Sequence, residues 1–241
     1  MKISALAHTP DSGPVELLYL LYHGVGGSAS DMAPLVQRLA SEYPQAAVVC
    51  IDAPEPFDGV PGGGAGFQWF SVQAITEANR PERIAAAMPG FIAIVRQLQQ
   101  HFGLPWERTA LAGFSQGAIM ALEAVQAESQ LAGRVLAFSG RHGTPPDHAP
   151  QDVCVHLFHG LADAVVPHGP TLDSAKRLVA LDADVTADLL PGIGHELAPA
   201  LLDKAIAQLR GFIPKRLWRE AYEQAPLANT VASSKNLTGP A

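Results

Sequence analysis

The segment from Thr109 to Val125 limits what the chain can fold into more than any other. A short apolar run, Thr109-Ala110-Leu111-Ala112, leads into Gly113-Phe114-Ser115-Gln116-Gly117 and then into Ala118-Ile119-Met120-Ala121-Leu122-Glu123-Ala124-Val125, a strong helix former. A strand that becomes a helix within five residues brings the two backbones almost into contact. The positions flanking the turn must therefore lack bulk, and both are glycine. The same turn lifts the Ser115 oxygen clear of the sheet.

The rest of the chain repeats the strand-then-helix pattern. Leu17-Leu18-Tyr19-Leu20-Leu21-Tyr22 is a continuous apolar run stopped by His23-Gly24, as expected of a strand buried on both faces of a parallel sheet. Similar runs occupy 46–51, 108–112, 135–138, 153–158 and 185–190. Helical patterns lie at 31–42, with Ser30-Asp31 as its cap, and at 81–100, 116–128, 171–181 and 199–213. Strict alternation of this kind implies a mostly parallel central sheet with helices on both faces and ligands beyond the carboxyl ends of the strands.

Two segments depart from the pattern. Residues 55–66 are rich in proline and glycine and read as a long loop, followed by Phe67, Trp69 and Phe70. These aromatics either pin the loop into the core or wall a substrate pocket; Trp69 and Phe70 are the pocket candidates. Residues 215–225 read as an extra helix on which Trp218 and Tyr222 form a docking stripe one turn apart. The expectation is one domain over 1–225 and a disordered tail over 226–241.

Composition narrows the function. The chain has 241 residues and a formal charge of −7, with no block of Lys or Arg to hold a phosphate backbone, so nucleic acid is not an expected partner. No uncharged apolar stretch reaches the roughly 18 residues of a membrane span, and the first residues do not read as a signal peptide. A cytoplasmic protein is expected, with a homo-oligomer left open. Cys50 and Cys154 sit in apolar runs and read as buried, reduced thiols. No Cys or His pair has the spacing of a zinc site, and neither a metal nor a cofactor is expected.

Three residues in the order Ser115, Asp163, His195 suggest chemistry. Serine attack on an ester needs a base, a group orienting that base, and donors for the oxyanion. His195 follows Pro191-Gly192-Ile193-Gly194 after the last strand, where its ring can reach back over the sheet. Asp163 lies in the loop leaving the 153–158 strand, whereas Asp152, Asp184 and Asp188 lie at strand starts or inside a strand. Two backbone amides are the oxyanion candidates, those of Gln116 and of Val25 in His23-Gly24-Val25-Gly26-Gly27. The other histidines, His23 and His159 included, read as structural.

The loop that holds Val25 also fits a dinucleotide fingerprint, Gly24-Val25-Gly26-Gly27-Ser28-Ala29, with Asp52 near the end of the next strand. An oxidoreductase would leave Ser115, Asp163 and His195 unexplained. A further alternative is a catalytically silent fold used as a binding module.

With these residues assembled, the chain resembles the carboxylesterase and acyl-protein thioesterase family of α/β-hydrolases. The resemblance is carried by Leu21-Tyr22-His23-Gly24-Val25-Gly26, Gly113-Phe114-Ser115-Gln116-Gly117-Ala118, His159-Gly160-Leu161-Ala162-Asp163 and Gly194-His195-Glu196, with Gln68-Trp69-Phe70-Ser71 similar to its aromatic motif. It spans about 17–213 and is nearest the small bacterial cytosolic esterases. It implies an α/β-hydrolase fold, a Ser-Asp-His triad and a small ester or thioester substrate with a short to medium acyl chain. Gly27-Ser28 stands where the eukaryotic thioesterases usually carry Asp-Thr, which argues against a protein-depalmitoylating role.

Overall fold

A computed structural model describes residues 5–60, 62 and 64–224. The tail expected over 226–241 lies outside the described residues. The strands are β1 (Ala5–His8), β2 (Leu17–Tyr22), β3 (Ala46–Ile51), β4 (Glu55–Pro56), β5 (Phe67–Gln68), β6 (Thr109–Phe114), β7 (Arg134–Phe138), β8 (Cys154–Gly160) and β9 (Asp184–Leu190). The helices are α1 (Ala33–Glu42), α2 (Arg80–Phe102), α3 (Gln116–Ala127), α4 (Gly169–Ala180), α5 (Pro199–Gly211) and α6 (Lys215–Gln224).

Seven strands form one sheet in the order β1-β3-β2-β6-β7-β8-β9, parallel except for β1, which runs antiparallel to β3. Alternation within the buried strands feeds two cores. Leu18, Leu20 and Tyr22 join the core that also takes residues of α2, α3 and α4, while Tyr19 and Leu21 join the one that takes residues of α1 and α5. Every residue of β3 is buried, which explains why it reads as an unbroken apolar run. Each fully buried leucine in these layers contributes about 1.5–3 kcal/mol over an exposed one.

The structure corrects four expectations. A short 3₁₀ turn, Ala29–Met32, precedes α1, and the capping acceptor is Asp31 Oδ2, which takes the Ser28 amide at 2.8 Å. Strict alternation fails between β7 and β8, where residues 139–153 cross without a helix. That loop is held by Gly143 N–H on Glu123 Oε1 at 2.7 Å and by Arg177 Nε on the Pro146 carbonyl at 2.9 Å. The proline- and glycine-rich segment is not all loop, because β4 and β5 pair as a two-residue ladder. Helix α6 forms, but Trp218 and Tyr222 are 64% and 84% exposed rather than docked. Its contacts with the body include Lys215, whose amide and ammonium reach Asp184 and Asp182, Arg216 over the Trp106 ring and Arg219 paired with Asp152.

Candidate active site

Ser115 sits between β6 and α3 at φ 53° and ψ −115°, a conformation that costs a non-glycine residue on the order of 1–3 kcal/mol. The surrounding geometry enforces it. A Cβ on Gly113 would lie 2.3 Å from the Gly117 carbonyl, and one on Gly117 would lie 2.2 Å from the Tyr22 carbonyl oxygen. The Ser115 amide donates to the Phe138 carbonyl at 2.9 Å, and its own carbonyl accepts the Ile119 amide at 3.1 Å, which starts the helix. The turn is thereby anchored on the sheet at one end and in α3 at the other.

The side chain of Gln116 fixes the turn from outside. Its Oε1 accepts the Trp69 amide at 2.8 Å and its Nε2 donates to the Phe70 carbonyl at 2.7 Å. Sequence reasoning assigned Gln116 only a backbone role. No local pattern signals this clamp, since its partners lie 46 and 47 residues away in the chain. Trp69 and Phe70 are each 3% exposed and belong to the core, and the Trp69 ring packs edge-on against Tyr22 and Phe91. Burial sets the pair against the turn, which it braces, and Trp69 also lines a cavity of about 350 Å³ with Phe91, Ile94 and Met120.

His195 comes from the turn between β9 and α5 and lies against Ser115. Its Nε2 is 3.0 Å from Ser115 Oγ and its Nδ1 is 2.8 Å from Asp163 Oδ2. Because a carboxylate only accepts, Nδ1 carries the proton and Nε2 is left as the acceptor for the serine hydroxyl. The ring of Phe114 packs on the imidazole at 4.8 Å between centroids.

Asp163 has a fully buried side chain. Its Oδ1 accepts the amides of Val165 at 2.9 Å and Val166 at 2.8 Å. Burial pushes its carboxyl up, but the His195 hydrogen bond and the Val166 and Val165 amides outweigh burial and hold it below the ordinary carboxylate value. The other acids are engaged elsewhere. Asp152 pairs with Arg219, Asp184 accepts the Lys215 amide, and Asp188 accepts from Gln208 Nε2 at 2.8 Å.

The loop after β2 runs beside the serine, since a Cβ on Gly24 would touch Ser115 Cβ at 3.2 Å. It is braced against Phe67 by Gly26 N–H to the Phe67 carbonyl and Phe67 N–H to the Gly27 carbonyl, both 2.8 Å. Buried His23 accepts the Ala53 amide on Nε2 at 2.9 Å, so its Nδ1 carries the proton and donates to the Gly24 carbonyl at 2.7 Å. Trp69 Nε1–H holds the His23 carbonyl at 2.9 Å. Val25 is 37% exposed, and among the described residues no backbone carbonyl takes its amide.

The dinucleotide alternative fails on the same geometry. A phosphate cradle needs free amides, but those of Gly26 and Gly27 are taken by the Phe67 and Gly24 carbonyls. Asp52, which would hold a ribose, instead accepts the Ala29 amide at 2.7 Å. Cys50 and Cys154 are buried and not joined to each other. Burial pushes their thiols up to about 12 and about 11 respectively, far from a reactive thiolate.

Comparison with known proteins decides the family. The family model described as Phospholipase/Carboxylesterase matches residues 9–213. The chain belongs to the phospholipase/carboxylesterase family. As a member it is a carboxylic ester hydrolase with the α/β-hydrolase fold. It is 41% identical over 216 residues to Esterase YpfH of Escherichia coli (strain K12), covering 90% of this chain and 91% of that protein. It is 27% identical over 214 residues to Acyl-protein thioesterase 1 of Gibberella zeae, covering 82% of this chain and 91% of that one. The crystal structure of esterase PE8 superposes with a TM-score of 0.78 at 30% identity, covering 88% of this chain and 100% of that one.

Proposed function

We propose that this family member cleaves carboxylic esters, and thioesters by the same route, through an acyl-enzyme on Ser115. The observation that carries the reading is the line from Ser115 Oγ to His195 Nε2 at 3.0 Å and from His195 Nδ1 to Asp163 Oδ2 at 2.8 Å. In this line His195 takes the serine proton as Oγ attacks the carbonyl carbon, and Asp163 stabilises the imidazolium that forms. The amides of Val25 and Gln116 receive the oxyanion, already aimed by the braced loop and the rigid turn. Collapse expels the alcohol or thiol, which takes its proton from His195. Water, activated by the same ring, then releases the acid.

Exposed aliphatic side chains on the loops of this site, Val25, Leu161 and Val165, give an apolar surface to the acyl group. Three side chains of that size suit a short to medium chain, each buried methylene adding about 0.8 kcal/mol until the surface is covered. Fluorophosphonate labelling and aryl-ester turnover test the reading together. Ser115→Ala should abolish labelling and lower kcat by about 10⁴-fold or more, with an unchanged melting temperature. Undiminished turnover in that variant would end the proposal, and failure of the wild-type protein to label would favour a silent binding fold.

A further inference from the structure

A second cavity, of about 620 Å³, lies between α2, α3 and the loop after β7 and shares no residue with the Ser115 site. Ile84, Met88 and Ile92 line it from α2, at the spacing of one helix face. A volume of this size suits a small organic ligand.

Two features of its wall are polar. Glu123 of α3 contributes a carboxylate whose Oε1 accepts the Gly143 amide at 2.7 Å, and the Thr144 amide also bonds to it. Both partners are neutral backbone groups. Burial pushes the Glu123 carboxyl up, the two amides offset this only in part, and no cation among the described residues pairs with it. A carboxylate in a largely apolar wall gains most from a cation that can hydrogen-bond to it. The second feature is Pro89, inside α2. Its nitrogen carries no proton, so the Ala85 carbonyl lacks the donor four residues on that a helix otherwise supplies, and both residues line the cavity. Glu123 and that carbonyl can only accept.

We propose that this cavity binds a small amphipathic amine, with its apolar body on Ile84, Met88 and Ile92 and its ammonium on the Glu123 carboxylate. The wall selects among ligands of one shape. Glu123 repels an anion, and a neutral alcohol leaves the carboxylate without a counter-charge. The site does not depend on the Ser115 reading, because Glu123 stands roughly 10 Å along α3 from Gln116.

The test titrates the protein by calorimetry with tryptamine, tryptophol and indoleacetate, which share an apolar body and differ in the charge of the end group. Tryptamine should bind about 10-fold more tightly than tryptophol, and indoleacetate more weakly than either. Glu123→Gln keeps an oxygen for the Gly143 amide and removes the charge. It should weaken tryptamine about 10-fold and leave tryptophol unchanged. Ala85→Trp fills the cavity from an exposed position of α2, should abolish binding of both probes, and serves where the glutamine variant does not fold. Ester turnover should be unchanged in both variants. Equal affinity for tryptamine and tryptophol, or a tryptamine preference that survives Glu123→Gln, overturns the proposal. So does failure of tryptamine to bind, or binding that survives Ala85→Trp, which would place the probe elsewhere on the protein.

Discussion

The chain places a histidine-glycine pair at the carboxyl end of two strands, and the two rings do different work. His23, after β2, bonds only to backbone: it takes the Ala53 amide and gives its proton to the Gly24 carbonyl, tying the end of β3 to the loop beside Ser115. His159, near the end of β8, gives its Nε2 proton to the Val166 carbonyl at 2.8 Å and lies beside a side chain that carries charge, with Asp163 Oδ2 3.2 Å away. Both rings are fully buried, and burial holds both below the ordinary histidine value. Burial is therefore not what separates them. The difference lies in what each ring meets: His23 fixes the shape of a loop beside Ser115, whereas His159 holds the Val166 carbonyl in the loop that carries Asp163.

The largest effect expected from this contrast lies on the β8 side. Asp163→Asn keeps the packing of the loop but offers His195 an amide, which favours the wrong tautomer, so kcat should fall by about 10⁴-fold. Steady-state kinetics against folded, titrated enzyme would measure it, and a loss under 10-fold would mean that the charge on this loop does not matter.

His23→Leu probes the β2 side. It leaves the Ala53 amide and the Gly24 carbonyl without their partner and should cost about 2 kcal/mol of stability. In a chain of this size that is a fall of about 4–8 °C in Tm. The acid limb of kcat/KM should stay in place. If this variant moves the limb, the division between the two loops collapses.

A third histidine, His142 in the loop after β7, sharpens the comparison because its Nδ1 has no partner among the described residues. Burial lowers its pKa to about 4. An unfolded histidine titrates near 6.5, so between about 6.5 and 4 the unfolded chain binds a proton that the folded chain does not. The stabilisation is whole above that window and declines as pH falls through it. At pH 5.5 the loss should be on the order of 1 kcal/mol relative to pH 7.5. Thermal or urea unfolding of the wild type and His142→Met at the two pH values would show it as a smaller loss in the variant. Equal losses would contradict the neutral, buried ring.

How legible these regions were in the sequence depended on how local their causes are. Strands β2 and β3 are buried on both faces, so their apolar runs matched the observed bounds. Ser115, Asp163 and His195 stood out because each follows a strand in a short motif, and the fold brings the three within hydrogen-bonding reach. Strand β1 was missed because its four residues, Ala-Leu-Ala-His, carry no β-branched side chain, and only pairing with β3 orders them. For Trp69 and Phe70 core and pocket stayed open, because sequence shows that an aromatic is present but not which way it packs. Thr171 and the Gln116 side chain gave no signal. Their partners come from Gly140, His159 and the Trp69-Phe70 segment, which only the folded sheet brings close.

The outer strand β9 bears on how molecules of this protein meet one another. One side of β9 pairs with β8, and among the described residues no strand pairs with the other, whose backbone groups would template a strand from a second copy. Asp184 and Asp188 lie on this strand. Two β9 strands aligned antiparallel about Thr186 would set Asp184 of each molecule opposite Asp188 of the other. Like charges in directly opposed positions repel, less so at Asp188, which Lys204 pairs at 3.5 Å, and the approach also competes with the Lys215 amide, Gln208 and Lys204 for those carboxylates. Sheet extension through this edge is thus disfavoured by its own side chains, which guards an otherwise open β edge against aggregation.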